Sequence, residues 1–492
     1  MKHNHLLALL LTALMLCAPL TACSQEPVTS TDTTLPPAAD TTTAAPAETE
    51  PPETEYPAPQ IEANFTGKTI SILSLEPEAT FDYGEISYGE NTGDIINDAV
   101  FKRNHQIINK YGIEIKSTEM PRGMATAKAF NTAILSDTNE YQLGILRIAD
   151  MMSSASNGYL ANLTDAPYID TDAPWYYRQL QEALSIGGQD YILTGYLNMR
   201  IFDSVGSIFY NKDVVEKYQL GNLNQLVFDG EWTLDKFAEI CAKVGNDLNN
   251  DGKIDETDEV GMISHPGGIL NFFVGAGGEF VAKDSDDIPQ YIGITERNAD
   301  LLNKVLTVLY TEPGSLHQIY SAYTNYNAAF NEDRALFLNN CLYAMLELAA
   351  VSTNFGVLPP PKYDAAQEGY YVHTHSNHGT AIGIPNNNPD MEMTCAIVEE
   401  LMYWSYKHIY PAHIEKTMQI RYASDEESTR ILEIMFDSIC LEMSTALSLK
   451  CDNNLRNLGN VHSFDFVSAF KSTETADKTK IETYVSAFTQ KK

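Results

Sequence analysis

The chain has 492 residues, of which 66 are acidic and 32 are lysine or arginine, so its formal net charge at pH 7 is −34. A protein this acidic is not expected to bind nucleic acid or the anionic face of a membrane through charge. Hydrophobic residues make up 44% of the chain, which fits a globular protein long enough for two domains.

The N-terminus has the pattern of an export signal. An apolar run from Leu6 to Ala18 is too short to cross a bilayer with its polar flanks. It leads into Leu20-Thr21-Ala22-Cys23, which resembles the lipobox of bacterial lipoproteins. Residues 1–22 are then a cleaved signal peptide, and lipidated Cys23 holds the protein at the extracellular face of the cell membrane. The alternative is an ordinary secretory signal followed by a chance cysteine.

Residues 23–60 form a predicted tether. The segment is rich in Thr, Pro, Ala and acidic residues and contains no Lys or Arg. Such a composition cannot bury enough apolar surface to offset the entropy of ordering, so we expect a disordered spacer between anchor and domain.

Beyond the tether, strand-like and helical patterns alternate, which predicts parallel sheets with crossover helices. A helical pattern covers 94–111, and the strand-like runs are 69–74, 112–116, 141–146 and 205–210. Thr233 is the expected N-cap of a further helix, with Trp232 packing on Phe237 as a hydrophobic staple. Ser424 to Glu427 reads as a capping box for another helix.

The segment Asp247 to Asp258 fits the twelve positions of an EF-hand calcium loop. Glycine stands at position 6, and the expected ligands are Asp247, Asn249, Asp251, Lys253 (through its carbonyl), Asp255 and Asp258. The last ligand is Asp rather than Glu. The shorter side chain of Asp weakens bidentate coordination. A strand-like run, and not a second helix, follows the loop. We therefore expect a structural Ca²⁺ that stiffens a turn. The alternative is an acidic turn that holds no ion.

Five cysteines lie beyond Cys23 at irregular spacings, without a CxxC pair. An odd number in this pattern is not a disulfide framework, and we expect most of them to be buried as small apolar residues.

Several segments together resemble the family 1 extracellular solute-binding proteins of ABC importers, in the variant common in gut Firmicutes. They include Gly93–Ala99, Pro174–Tyr177, Phe209–Asp213, Gly230–Asp235 and Gly356–Lys362. The resemblance implies an α/β, two-lobed periplasmic-binding-protein-like fold of type II, with parallel-rich sheets, crossover helices and a hinge. The expected lobes are 61–197 with about 355–400 for lobe 1 and 198–354 for lobe 2. Helices of 401–492 would pack on both.

The function that the resemblance implies is capture of a small solute, an oligosaccharide, by hinge closure of a monomer and its delivery to an ABC permease. No GxSxG, HExxH, P-loop or GxGxxG motif stands in a suitable context, so we expect no enzyme. The alternatives are a cell-surface glycan-binding or sensing module and an exported glycan hydrolase.

Ligands in such folds lie at the carboxyl ends of strands, between the lobes. Aromatic planes and planar hydrogen-bonding groups suit a sugar. The candidate ligand-contact residues are Glu76, Phe81, Asp82, Arg147, Asp150, Trp175, Gly278, Glu279, His375 and His378. For Trp175 the alternative is ordinary packing. His373, His375 and His378 could bind a transition metal, line the cleft or serve the structure alone.

Overall fold

In this computed structural model the described residues are 56–89, 92–252, 254, 257–310, 315–317, 328–351, 353–420 and 426–490. By internal contacts the chain divides into Met1–Pro57 and Ala58–Lys492, and the fold below is that of the second unit. The signal peptide, Cys23 and the tether up to residue 55 lie outside the described residues. The capping box at Ser424 begins outside them as well.

The first lobe is built on a sheet with strand order β12-β3-β1-β2. Its strands are β1 (Thr69–Leu75), β2 (Glu114–Met120), β3 (Leu143–Arg147) and β12 (Thr380–Gly383). β1 runs parallel to both β2 and β3, whereas β12 is antiparallel to β3. The apolar residues of β1 and β3 are buried on both faces, as expected of central parallel strands covered by helices.

The second lobe is built on a sheet with strand order β10-β4-β9-β5-β8. Its strands are β4 (Gly206–Asn211), β5 (Val260–Ser264), β8 (Ser315–His317), β9 (Ala335–Cys341) and β10 (Phe355–Leu358). Smaller pairings join β6 (Val281–Lys283) to β7 (Pro289–Tyr291), and β11 (Val372–His373) to β13 (Ile439–Cys440). Parallel pairs β5–β8 and β5–β9 lie beside antiparallel pairs β4–β9 and β10–β4.

Helices cover the sheets and connect them. In the first half of the chain they are α1 (Ile95–Tyr111), α2 (Met124–Leu135), α3 (Ile148–Ser156), α4 (Arg178–Leu184), α5 (Arg200–Asp203), α6 (Lys212–Tyr218), α7 (Leu223–Phe228) and α8 (Leu234–Cys241). The later helices are α9 (Ile269–Gly275), α10 (Glu296–Tyr310), α11 (Ala328–Asn331), α12 (Ala344–Ala350), α13 (Met391–Trp404), α14 (Tyr410–Ile420), α15 (Glu426–Asp437), α16 (Met443–Ala446), α17 (Lys450–Val461) and α18 (Phe466–Thr489). A π-helical turn, Ser405–Ile409, joins α13 to α14.

Helix α8 shows how local sequence sets an element. The Thr233 side chain accepts a hydrogen bond from the backbone N–H of Lys236, as an N-cap does. The rings of Trp232 and Phe237 meet edge to face with centroids 5.8 Å apart, so the predicted staple is confirmed. The Trp232 indole also donates to the carbonyl of Pro359, 2.8 Å away, which ties the start of the helix to the segment after β10.

The crossing back into the first lobe lies later than expected. Phe355–Leu358 pairs with β4 of the second sheet, so the predicted return to lobe 1 near residue 355 is wrong. The chain rejoins the first sheet at β12, which begins at Thr380. The segment between them includes β11 and the three histidines. A short buried strand can pair with either sheet, and here its register is set by Tyr210 opposite Gly356.

The long helix α18 touches both lobes. It packs on α3 of the first lobe and on β7 and α17 of the second. The buried Asp477 carboxylate accepts hydrogen bonds from the backbone N–H groups of Lys450 (2.7 Å) and Cys451 (3.0 Å), so it caps the N-terminus of α17 from outside. Near its end, Phe488 packs on Tyr191 of the first lobe with ring centroids 4.7 Å apart.

The cysteines behave as expected from their spacing. Cys241, Cys341, Cys395 and Cys451 are buried and Cys440 is half-buried, and all five are free thiols. Among the helices in the described ranges, none is both long and apolar enough to cross a membrane.

Candidate functional site

Segments that follow parallel strands of both lobes contact the same stretch of chain, residues 374–379. β1 and β3 of the first lobe end at Leu75 and Arg147, and β5 of the second lobe ends at Ser264, just before α9. Loops that follow parallel strands gather at one edge of a sheet, which is where open α/β folds hold ligands. We call this region, built from residues 76–81, 122, 147–150, 200–204, 264–271, 343 and 373–379, the junction.

Arg200 is the buried cation at the centre of the junction. It lies at the start of α5, in the first crossing between the lobes, and its side chain is fully buried. One guanidinium nitrogen donates to the carbonyl of Glu76 at 2.7 Å, and the other lies 3.4 Å from the carboxylate of Glu78. The guanidinium also lies over the ring of Phe81, 4.8 Å from its centroid. Arg200 thereby fixes the loop that follows β1.

Two further arginines of the first lobe hold carboxylates at this edge. Arg122, after β2, donates to Glu78 at 2.6 Å and to the carbonyl of Asn377 at 3.3 Å. Arg147, at the end of β3, forms a two-pronged pair with Asp150 at 2.5 and 2.8 Å. Both side chains of the Arg147–Asp150 pair are 15% exposed, so the pair is largely buried yet reachable from solvent. Such planar pairs present several hydrogen-bonding groups in fixed directions.

The crossing back into the first lobe, between β10 and β12, carries the histidines. Backbone hydrogen bonds join residues 374–379 to the first crossing and to the start of α3. His375 N–H donates to the carbonyl of Ser204. The N–H groups of Ile148 and Ala149 donate to the carbonyls of Gly379 and Ser376. The rings of His373 and His375 lie 4.9 Å apart, and His378 lies near Phe81 and Tyr343 at 6.3 and 5.6 Å. His375 and His378 are half-buried, whereas His373 is fully buried.

These histidines are neutral imidazoles. Burial, together with the guanidinium of Arg456, lowers the pKa of His373 to about 3. Burial and the guanidinium groups of Arg122 and Arg456 lower the pKa of His378 to about 3 as well. For His375, burial and its neighbour His373 lower the pKa well below its usual value. All three can therefore both donate and accept a hydrogen bond at neutral pH.

The junction carries no excess of positive charge, although three arginines lie in it. Four guanidinium groups lower the pKa of His378, and each of them lies within 3.4 Å of a carboxylate oxygen. The pairs are Arg122–Glu78, Arg147–Asp150, Arg200–Glu78 and Arg456–Asp452. Arg122 and Arg200 share the Glu78 carboxylate, but Glu76 and Asp203 also lie in the junction, so its three arginines face four carboxylates without an excess of positive charge for an anion.

The structure brings together most of the predicted contact residues. Glu76, Phe81, Arg147, Asp150, His375 and His378 all lie in the junction. Asp82 lies beside it and forms an ion pair with Lys416 at 3.0 Å. Gly278 and Glu279 lie elsewhere in the second lobe. A Cβ at Gly278 would meet the Phe273 ring at 2.5 Å, so this glycine is packed into the core.

Trp175 adopts the packing alternative. It is 7% exposed, and its indole N–H donates to Glu399 at 2.9 Å. Its ring meets Tyr403 edge to face at 5.2 Å, and the hydroxyl of Tyr176 donates to the second oxygen of Glu399 at 2.6 Å. The ring of Trp175 is enclosed in the first lobe, so the prediction that it stacks on a sugar is wrong.

The sequence reasoning missed Arg122, Arg200, Asn271 and Tyr343 as members of the junction. Arg200 directly follows Gly195–Met199, a run that has neither the alternation of a strand nor the spacing of a helix. A lone arginine at the start of a crossing segment was the available signal. Asn271 and Tyr343 carried none, because each is joined to its partners across a long stretch of chain.

The calcium-like loop has the backbone turn that such a loop needs. Asn250 and Gly252 have φ of +59° and +83°. Asp247 accepts hydrogen bonds from the N–H groups of Asp251 and Gly252, and buried Asp258 accepts one from Leu248 at 2.9 Å. Lys253 and Asp255 lie outside the described residues. Within the described residues, no group of three or more His, Cys, Asp or Glu side chains is arranged to hold a metal, which applies to the histidines too.

Comparison with known proteins identifies the fold. No model of a known protein family matches the chain, and no curated protein matches it. Among solved structures, a cyclic α-maltosyl-1,6-maltose-binding protein from Arthrobacter globiformis superposes with a TM-score of 0.58 and 13% identity, over 84% of this chain and 99% of that one. An ABC substrate-binding protein from Listeria monocytogenes in complex with cycloalternan gives 0.55 and 13%, over 84% and 99%.

The GacH receptor of Streptomyces glaucescens is similar as well, with a TM-score of 0.51 and 15% identity over 86% of this chain and 99% of that one. At these identities the likeness establishes the fold. The chain has the α/β, two-lobed fold of periplasmic binding proteins, of type II, and the predicted fold class is confirmed.

The Glu399 carboxylate predicts a pH-dependent stability. Burial raises the pKa of Glu399 to about 7, against the donated hydrogen bonds of Tyr176 and Trp175. A raised pKa in the folded state stabilises the protein fully below the ordinary value near 4.5, and this contribution is lost as the pH rises through 7. We expect the melting temperature of Glu399→Gln to fall less between pH 5 and pH 8 than that of the wild type, by calorimetry.

Glu442 contributes to the same range, because burial raises its pKa to about 7, so the wild-type slope is reduced and not abolished in the variant. Glu392→Gln, at an exposed position of the same helix, is the control and should keep the wild-type slope. An unchanged slope in Glu399→Gln would contradict the assignment.

Proposed function

We propose that this protein is an extracellular solute-binding protein that captures a neutral oligosaccharide in the junction and delivers it to an ABC importer. The observation that carries the proposal is the set of arginine–carboxylate pairs, without an excess of positive charge, beside half-buried neutral imidazoles, at the carboxyl ends of strands from both lobes. Neutral sugars need hydrogen-bonding groups with fixed directions more than they need net charge. Three solved proteins of the same fold are described as binding cyclic α-maltosyl-1,6-maltose, cycloalternan and acarbose, which supports this ligand class.

The proposed mechanism is closure of the two lobes by rotation about the chain segments that connect them. A ligand that contacts both lobes stabilises the closed form by its extra contacts there. Arg147 and Asp150 would bind it from the first lobe, and His375 and His378 from the crossing. A permease would then recognise the closed form of the monomer.

The test is calorimetric titration of the purified protein with maltotetraose, cellotetraose and raffinose. We expect saturable binding at one site without release of reducing sugar, and at least tenfold weaker binding by Arg147→Gln. Arg178→Gln is the matched control, because Arg178 forms an exposed pair with Glu182 on α4, with side chains 74% and 63% exposed. Sugar release would favour a hydrolase, and failure of every neutral oligosaccharide to bind would overturn the proposal.

We also propose that the loop at residues 247–258 holds a structural Ca²⁺. Two observations support it. The backbone turns at Asn250 and Gly252, and the carboxylates of Asp247 and Asp258 accept backbone hydrogen bonds within the loop. Hard oxygen ligands in this order suit Ca²⁺, which would join the end of α8 to the start of β5.

A chelator should then lower the melting temperature of the wild type, and Ca²⁺ but not Mg²⁺ should restore it. Asp258→Asn should remove the dependence on Ca²⁺. Asp284→Asn, in another turn whose aspartate accepts backbone N–H groups, should keep it. A melting curve that chelation leaves unchanged would mean that the turn holds no ion.

We propose finally that the protein is anchored to the membrane through a lipid on Cys23, after removal of residues 1–22. The sequence pattern of residues 6–23 and the anchor-to-domain spacer that follows support this. Cys23→Ser should move the protein from the membrane fraction to the medium, whereas Cys17→Ser, within the predicted signal, should leave it in the membrane fraction. Retention of Cys23→Ser in the membrane fraction would contradict the anchor.

A further inference from the structure

A chain of side-chain amides runs through the second lobe and ends on His375. Asn339 of β9 donates from Nδ2 to the hydroxyl of Ser264 at 2.9 Å and to the carbonyl of Gly268 at 3.0 Å. Asn271 of α9 donates from Nδ2 to Oδ1 of Asn339 at 2.8 Å. Oδ1 of Asn271 lies 3.0 Å from Nε2 of His375. Asn271 and Asn339 are buried, so each of these contacts is shielded from water.

The direction of this chain follows from its first member. A backbone carbonyl can only accept, so the Asn339 atom that faces Gly268 must be the NH₂ group. Its oxygen is then left to accept from Asn271, whose own oxygen in turn must face His375. An amide oxygen only accepts, so His375 must carry its proton on Nε2. Because burial keeps the imidazole neutral, Nδ1 of His375 is then an acceptor without a proton.

Two glycines make room for the chain. A Cβ at Gly206, the first residue of β4, would lie 2.3 Å from Oδ1 of Asn271. A Cβ at Gly268 would lie 2.2 Å from Nδ2 of Asn339. Contacts this short do not occur, so any side chain at either position would displace an amide. The backbone on both sides is therefore shaped to hold the two asparagines.

The free acceptor of His375 is accessible. No residue in the described part of the chain forms a hydrogen bond with Nδ1, although the chain of amides holds Nε2. The ring is half-buried in the junction, beside His378 with centroids 6.3 Å apart. An acceptor held in one direction and left unbonded beside other polar groups is suited to a ligand that donates.

We propose that His375 accepts a hydrogen bond at Nδ1 from a hydroxyl group of the bound solute, and that Asn271 and Asn339 are positioning residues that fix its tautomer. This inference rests on the proposed function, since the hydroxyl belongs to the proposed oligosaccharide. The arrangement makes His375 a specificity-determining residue. A ligand with an ether oxygen or a carboxylate at this place would set one acceptor against another and would be rejected.

The test replaces His375 by glutamine, whose side-chain amide imitates Nε2 but not Nδ1. The amide of Gln in His375→Gln reaches Asn271 as Nε2 does, but it lacks the acceptor at Nδ1. We expect it to keep the wild-type melting temperature and to bind the tightest of the three oligosaccharides at least tenfold more weakly. His408→Gln is the matched control, because His408 Nε2 also bonds an amide oxygen, that of Gln106 at 2.8 Å, outside the junction. It should bind as the wild type does.

Nitrogen NMR of the ligand-free protein tests the positioning role separately. The wild type should show a protonated Nε2 and an unprotonated Nδ1 for His375, whereas Asn271→Leu should show both tautomers and a tenfold or greater loss of affinity. Wild-type affinity in His375→Gln, or a proton on Nδ1 in the wild type, would overturn the inference while the proposed function stands. Failure of the wild type to bind any neutral oligosaccharide would overturn both.

Discussion

The junction depends on one buried guanidinium. Burying an arginine costs several kcal/mol unless its donors are satisfied, so the groups around Arg200 cannot move independently of it. Its bonds to the Glu76 carbonyl and the Glu78 carboxylate hold the loop after β1, and Glu78 in turn holds Arg122. Arg122 reaches the carbonyl of Asn377 in the histidine segment. One cation in the first crossing is thereby connected to the end of the first sheet and to the crossing that carries the histidines.

The features that the sequence could predict are those decided by neighbouring residues. The capped helix at Thr233, the strands at Thr69–Leu75 and Gly206–Asn211 and the buried thiols all follow from patterns within a few residues. The position of Arg147 and Asp150 could be predicted for the same reason, because a polar pair that follows a buried strand lies at the sheet edge wherever that strand is.

The features that it could not predict are decided by distant partners. Trp175 is buried because Glu399, 224 residues away, accepts its indole N–H, and nothing near either residue signals this contact. Phe355–Leu358 is a short buried run that could belong to either sheet, and only its pairing with distant β4, where Gly356 lies opposite Tyr210, places it in the second. His375 and Asn271 are 104 residues apart, and the tautomer that their contact fixes has no counterpart in a local pattern.

The placement of α18 restricts how the lobes can separate. The helix is fixed to the second lobe through Asp477 and to the first through Phe488, so both lobes are joined along that flank. If the lobes rotate about the crossings as proposed, the gap between them widens mainly on the opposite flank. A chain-like solute would have to enter, and leave any excess length protruding, from that single direction, which makes the entrance asymmetric.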